Sequence, residues 1–347
     1  MTQTFEPLPY PSREKLLWMY TQMVRIRRFE EQVKQTFENH PGMIRGHTHL
    51  ADGAEATIVG ALATLQPNDF VMSTYRCHGY PIALGTPTCQ IMAEIYGKKA
   101  GLCKGYGGSM HLADPTRGFL GTSGIVGQVI PQATGVALAV QVKNTHQVVL
   151  CFFGDGAAKQ GAFHESLNIA SLWKLPIVYI LENNEYQAYT RIELEDANAA
   201  AGEDLSIKAR AYSMPGVTVD GSDPIAVYRI VGQAVAHARE GKGPTLVEAK
   251  VYRLSAHGNA ITVPPIPTRF PEHEAIAVYD NPGEYEAGKR RDPLPRFRAF
   301  LLAAGIASEA ELGSIEQDAQ TEMQEAVAFA LESPYPAPEE ALEYVYA

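Results

Sequence analysis

The chain has 347 residues, enough to bury a large core as one big domain or two smaller ones. It carries 29 basic and 39 acidic residues, a net charge of −10, and no long basic run, which argues against a nucleic acid or an anionic membrane as partner. No stretch approaches the uninterrupted apolar length of a membrane span, and Cys77, Cys89, Cys103 and Cys151 form neither a CxxC pair nor a disulfide framework. They read as reduced thiols of a cytoplasmic protein.

Residues 1–11 read as an extended arm, with three prolines and no apolar core of a signal peptide. Ser12 is placed to cap a helix in which Leu16, Met19, Tyr20, Met23, Ile26, Phe29 and Val33 recur at helical spacing. The Arg25, Arg27, Arg28 cluster on it reads as a solvated or salt-bridged face. A small-residue helix is predicted over 54–65, ended by Pro67-Asn68-Asp69, and a short strand over 70–73. The stretch 97–127 is rich in glycine but also holds Met110, His111, Phe119, Ile125 and Val126, a mixture that suits ordered loops close to a ligand. A buried Ala/Val helix is expected over 131–142, then strands over 148–153 and 177–181. Further on come a helix-like segment at 207–212, a strand at 217–219, a helix at 224–240 and a strand at 245–252. The proline-rich, charged segment 255–295 is expected to wrap the surface, and 308–332 to form a helix pair or one long helix. Strands alternating with helices predict an α/β fold: an open, mostly parallel sheet with helices on both faces. The expected organisation is a single domain over 1–347, with an N-terminal arm and helix (1–40) and a C-terminal helical extension (295–347).

The most informative stretch is 154–184. An apolar strand runs into Gly154-Asp155-Gly156, and a second delivers Glu182-Asn183-Asn184 to the same sheet edge, with Asp155 and Asn184 29 positions apart. A carboxylate and an amide oxygen at neighbouring strand ends are hard ligands suited to Mg²⁺ that also binds a diphosphate. Gly156 lets backbone approach the phosphates, and the helix that follows is expected to aim its N-terminus at them. The bland alternative is a tight turn with a capping aspartate.

The order strand, Gly-Asp-Gly, helix, strand, Asn-Asn resembles the thiamine diphosphate motif. The block from 154 to 184 also resembles the α subunit of the heterotetrameric decarboxylating component of 2-oxo acid dehydrogenase complexes, of the pyruvate or acetoin type. Four further blocks match in order: Arg45-Gly46 with His49 and Gly53-Ala54-Glu55-Ala56; Tyr75-Arg76-Cys77-His78-Gly79; Lys104 to His111; and Gly124-Ile125-Val126-Gly127. The resemblance, which runs from about residue 12 to the C-terminus, implies the thiamine diphosphate-binding fold, with thiamine diphosphate and Mg²⁺ as cofactors. It assigns Asp155, Asn184 and the backbone carbonyl of Tyr186 to the metal. Tyr75, Arg76, Gly156 and His257 fall on the diphosphate, and the backbone of Gly124 and Val126 on the aminopyrimidine ring. It places His49 near the reacting carbon, with His257 on an active-site loop, and suggests that His78 lines the cofactor channel. Zinc on the His47, His49 pair is set aside for want of a third ligand nearby in sequence.

The same resemblance implies a β subunit completing an α₂β₂ heterotetramer and supplying the activating glutamate, since Glu55 does not match that residue. It implies acyl transfer to a lipoyl-bearing acyltransferase, and a small 2-oxo acid or acetoin as substrate. The sequence departs from the family at Ala256, Gly258 and Asn259-Ala260-Ile261-Thr262, and at Gln187 to Thr190. Gly258 excludes phosphorylation at a position where some relatives carry serine. Two other readings stand beside this one: a non-oxidative thiamine-dependent lyase or transferase subunit, and a non-catalytic paralogue.

Overall fold

The computed structural model describes residues 8–260 and 282–343. Its centre is a six-stranded, all-parallel sheet in the order β3-β2-β4-β5-β9-β8. The strands are β2 (Phe70–Thr74), β3 (Phe119–Ser123), β4 (Val149–Gly154), β5 (Ile177–Asn183), β8 (Gly216–Asp220) and β9 (Thr245–Lys250). The near-continuous apolar runs of β4 and β5 follow from their central place, because a parallel sheet is covered on both faces. Alternation along β4 sends Leu150 and Phe152 into one core and Val149, Cys151 and Phe153 into the other.

The first core is closed by α1 (Arg13–Asn39), α2 (Glu55–Leu62), α8 (Pro224–Arg239) and α11 (Glu309–Glu332), with α3 (Gly79–Ala83), α4 (Thr88–Ile95) and α10 (Pro293–Ala303) against them. The second is closed by α5 (Val129–Lys143) and α6 (Gly161–Trp173). Truncating a fully buried ring such as Phe152 in a sheet packed on both faces costs about 3–5 kcal/mol. Local signals start the helices where the sequence places them. Ser12 accepts from Lys15 N at the head of α1; Asp223 caps α8 with Pro224 in its first turn; Ser308 and Glu311 form a reciprocal capping box on α11. The arginine face of α1 is salt-bridged: Arg25 to Glu322, Arg27 to Glu55 and Asp292, Arg28 to Glu31.

The described residues also form smaller elements: the antiparallel pair β1 (His47–Thr48) and β10 (Asn259–Ala260), the hairpin β6 (Tyr186–Gln187) and β7 (Thr190–Arg191), α7 (Ala197–Ala200) and α9 (Pro282–Lys289).

Several expectations need correction. β3 was hidden in the glycine-rich stretch: its burial alternates, but Gly121 stands at its central buried position and Gly118 and Gly124 flank it, so no apolar alternation marks it in the sequence. The segment 207–212 belongs to a 3-10 helix, Leu205–Tyr212. The charged segment after 281 is helical, with Pro282 and Pro293 each at the head of a helix, where a missing N–H is harmless. Of the two forms expected for 308–332, the single long helix is the one found, as α11. The chain does not pass from Asp155 straight into an α-helix: a 3-10 turn, Asp155–Lys159, intervenes and α6 begins at Gly161. Ile261 and Thr262 lie outside the described residues, as do 1–7 of the arm and the last four residues of the C-terminal extension. Among the described residues no helix is long and apolar enough to cross a membrane.

Candidate cofactor site

After β2 the chain leaves toward β3 on one side; after β4 it leaves toward β5 on the other. The carboxyl ends of β2 and β4 therefore flank a topological switch point, where open α/β sheets bind ligands. An open cleft of about 770 Å³ lies there, and Tyr75, Arg76, Val126, Asp155, Gly156, Asn184, Tyr186 and His257 all line it. Gly124 is not on the lining, though its neighbours Ser123 and Ile125 are. A Cβ on Gly124 would sit 3.3 Å from the His111 ring, so that glycine keeps the two segments close.

Gly154 on β4 pairs with Glu182 on β5, which sets Asp155 beside the Asn183-Asn184 pair. Asp155 is 2 % exposed: its Oδ1 accepts from Gly156 N at 2.7 Å, and its buried Oδ2 has no partner. Burial raises its pKa to about 6. The two asparagines divide their work. Asn183 turns away from the cleft and donates to Glu248 on β9 at 2.7 Å, leaving Asn184 on the cleft wall. An orphaned, buried carboxylate oxygen beside an amide oxygen is what a hard cation would satisfy, and this donor set fits Mg²⁺.

The rest of the wall is positive. The Arg76 guanidinium is held by the carbonyls of Leu50 and His257, the latter at 3.1 Å. Burial and the neighbouring Arg253 lower its pKa, yet a guanidinium keeps its charge. Burial first, and then the Arg76 charge, press His49 down to about 2 and His257 down to about 3, so both rings are neutral. A half-buried Arg76, a buried Arg253, the neutral His257 and acids driven toward protonation make a cavity built for an anion with its own cation. A diphosphate fits that balance.

Two predicted residues are placed differently from expectation. His49 does not line the cleft; its ring packs tilted against Tyr75 at 4.3 Å and edge-on to His257 at 5.0 Å. His78 does not line it either. It is fully buried, with Nδ1 2.8 Å from Glu30 and Nε2 2.9 Å from Ser109, and this relay ties α1 to the glycine-rich loop. Glu55 is consumed by Arg27 and by the backbone of Gly53.

Sequence reasoning passed over three groups at the site. Glu182 closes the floor: Tyr80 Oη donates to its Oε2 at 3.0 Å, its Oε1 has no partner, and burial pushes its pKa up to about 7. Asp52 accepts from Lys34 at 2.7 Å and from Ser255, tethering the loop that carries His257. Gln187 lies over Gly156, its side chain 3.1 Å from where a Cβ would stand. A charged residue at the end of a wholly apolar strand was the available signal for Glu182.

Comparison with known proteins adds the lineage. A family model described as the dehydrogenase E1 component matches residues 21–339. The α subunit of acetoin:2,6-dichlorophenolindophenol oxidoreductase from Bacillus subtilis is 42 % identical over 335 residues, spanning 96 % of this chain and 94 % of the relative. Its counterpart from Cupriavidus necator is 38 % identical, spanning 96 % and 95 %. The pyruvate dehydrogenase E1 component α subunit of Zymomonas mobilis is 37 % identical, spanning 96 % and 90 %.

Proposed function

This chain belongs to the dehydrogenase E1 component family, and from that premise we propose that it is the α subunit of a thiamine diphosphate- and Mg²⁺-dependent 2-oxo acid dehydrogenase of pyruvate or acetoin type. The observation that carries the reading is the meeting of Asp155, Asn184, Arg76 and His257 around one cleft at the switch point. Thiamine diphosphate supplies a carbon nucleophile and an electron sink for a bond broken next to a carbonyl.

The chain's own residues bind and orient. Asp155, Asn184 and the carbonyl of Tyr186 hold Mg²⁺. Tyr75 and Arg76 hold the diphosphate, Arg76 through a planar fork suited to phosphate oxygens. His257, neutral, adds an uncharged N–H donor. Gly156 keeps the backbone approachable, and the backbone of Val126 on the wall, with that of Gly124 close by, is assigned to the aminopyrimidine. His49, whose ring packs against Tyr75 and whose buried Nδ1 has no partner, is assigned to the substrate's reacting carbon. We assign the whole chain to one thiamine diphosphate-binding domain.

Its partners, on this reading, are a β subunit in an α₂β₂ assembly and a lipoyl-bearing acyltransferase that takes the acyl group, in the cytoplasm. The exposed Ile125 (67 %) and Val126 (42 %) on the cleft wall suit an opposing protein surface. The test is steady-state turnover of pyruvate and of acetoin against an artificial electron acceptor, with saturating Mg²⁺ and thiamine diphosphate. The α chain alone should be inactive and addition of the β subunit should restore turnover. Robust turnover by the α chain alone would place the activating glutamate in this chain and overturn the division of labour.

A further inference from the structure

Arg253 is a buried cation to which the reading above gives no task. It follows β9, is 4 % exposed and lines the cleft. Its fork reaches in two directions: Nη1 lies 3.1 Å from Nδ1 of His257, and Nη2 donates to the carbonyl of Ala188 at 2.9 Å. Its carbon stands 6.0 Å from the centre of the Tyr186 ring. A guanidinium has donors and no acceptor, so Nδ1 of His257 must accept, and the single proton of the neutral ring must sit on Nε2. Ala188 occupies the turn between β6 and β7 at φ 53, a left-handed conformation uncommon for alanine. Its carbonyl is the one Arg253 holds. Among the described residues, Arg76, Arg253, His47, His49, Tyr75 and Tyr189 stand around His257, and none of these is a carboxylate that would favour imidazolium.

We propose that Arg253 is a positioning residue: it fixes His257 as a neutral Nε2–H donor at the cleft and holds the 186–191 hairpin beside it. One guanidinium thereby sets the spacing between the anion-binding loop and the strand end assigned to the metal. Lysine cannot reproduce this, because a single ammonium does not present two parallel donors to two separated acceptors. The proposal rests on the cleft being the diphosphate site.

The test uses the α chain assembled with its β partner and Mg²⁺–pyrophosphate as the probe, with affinity read by calorimetry so that turnover plays no part. R253M should weaken binding about tenfold or more, and R253K should recover part of the loss. His257→Gln keeps an N–H donor near the place of Nε2 but offers no acceptor at Nδ1. In that background R253M should weaken binding less than about threefold, because residues that act through one another are not additive. The same fold loss in both backgrounds would overturn the proposal. An independent readout needs no variant at Arg253: ¹⁵N-histidine spectra of the wild-type assembly, with His257 identified by its loss in H257Q. A bare Nδ1 and a protonated Nε2 are expected; a proton on Nδ1 overturns the proposal. Failure of the wild-type assembly to bind Mg²⁺–pyrophosphate would strike at the cofactor site itself, and the ¹⁵N result would still judge Arg253.

Discussion

Replacing Asp155 by asparagine should make the cofactor-free protein more stable while disabling the site. The carboxylate is almost wholly buried, one oxygen has no partner, and burial raises its pKa from 3.8 to about 6. An acid whose pKa is higher in the folded state destabilises the fold when ionised. The penalty is absent below pH 3.8, grows between 3.8 and 6, and is complete above. At about 1.4 kcal/mol per unit, the full penalty is about 3 kcal/mol. Asparagine keeps the shape and the acceptor for Gly156 N but carries no charge. D155N should therefore raise the melting temperature by several degrees near pH 7.5 and change it little near pH 4. The assay is calorimetric melting of both proteins in chelator at the two pH values, repeated with Mg²⁺ and thiamine diphosphate. Ligand should stabilise the wild type and leave the variant unmoved. A variant that melts at or below the wild type near pH 7.5 without metal would refute the reasoning, since the buried charge would then be satisfied by something else.

Two further substitutions probe the walls. R76K keeps the charge but loses the fork that already spans two carbonyls, and should weaken Mg²⁺–thiamine diphosphate binding by about 1.5–3 kcal/mol in titration calorimetry; an unchanged dissociation constant would remove Arg76 from the diphosphate. Glu94 is fully buried and accepts the backbone N–H groups of Cys103, Gly105, Gly107 and Gly108, two per oxygen. E94Q turns one oxygen into a donor and strands two of these groups, a loss of about 2–6 kcal/mol by urea unfolding, with faster hydrogen exchange confined first to 101–108.

The parts of the fold carried by periodic apolar residues were legible: β4, β5, α1 and α8 stand close to where their patterns put them. β3 was not, because Gly121 and the glycines flanking the strand leave no apolar alternation, and its pairing with β2 makes it a strand. The cleft was legible where residue type alone names the chemistry, as for Asp155, Asn184 and Arg76. It was opaque where the role depends on which way a side chain turns. Nothing in a dipeptide says that Asn183 serves Glu248 while Asn184 faces the ligand. Nor does it say that His78 is spent on Glu30 and Ser109 while His257 is left for the site.

Ile125 and Val126 stand exposed on the wall of the cleft. On the reading that another polypeptide closes it, cofactor loading and subunit assembly share one free energy. Whatever factor the partner adds to cofactor affinity, the cofactor must return to partner affinity. Scarcity of the vitamin would then loosen the assembly as well as empty it, and abundance would draw subunits together at concentrations where they otherwise drift apart.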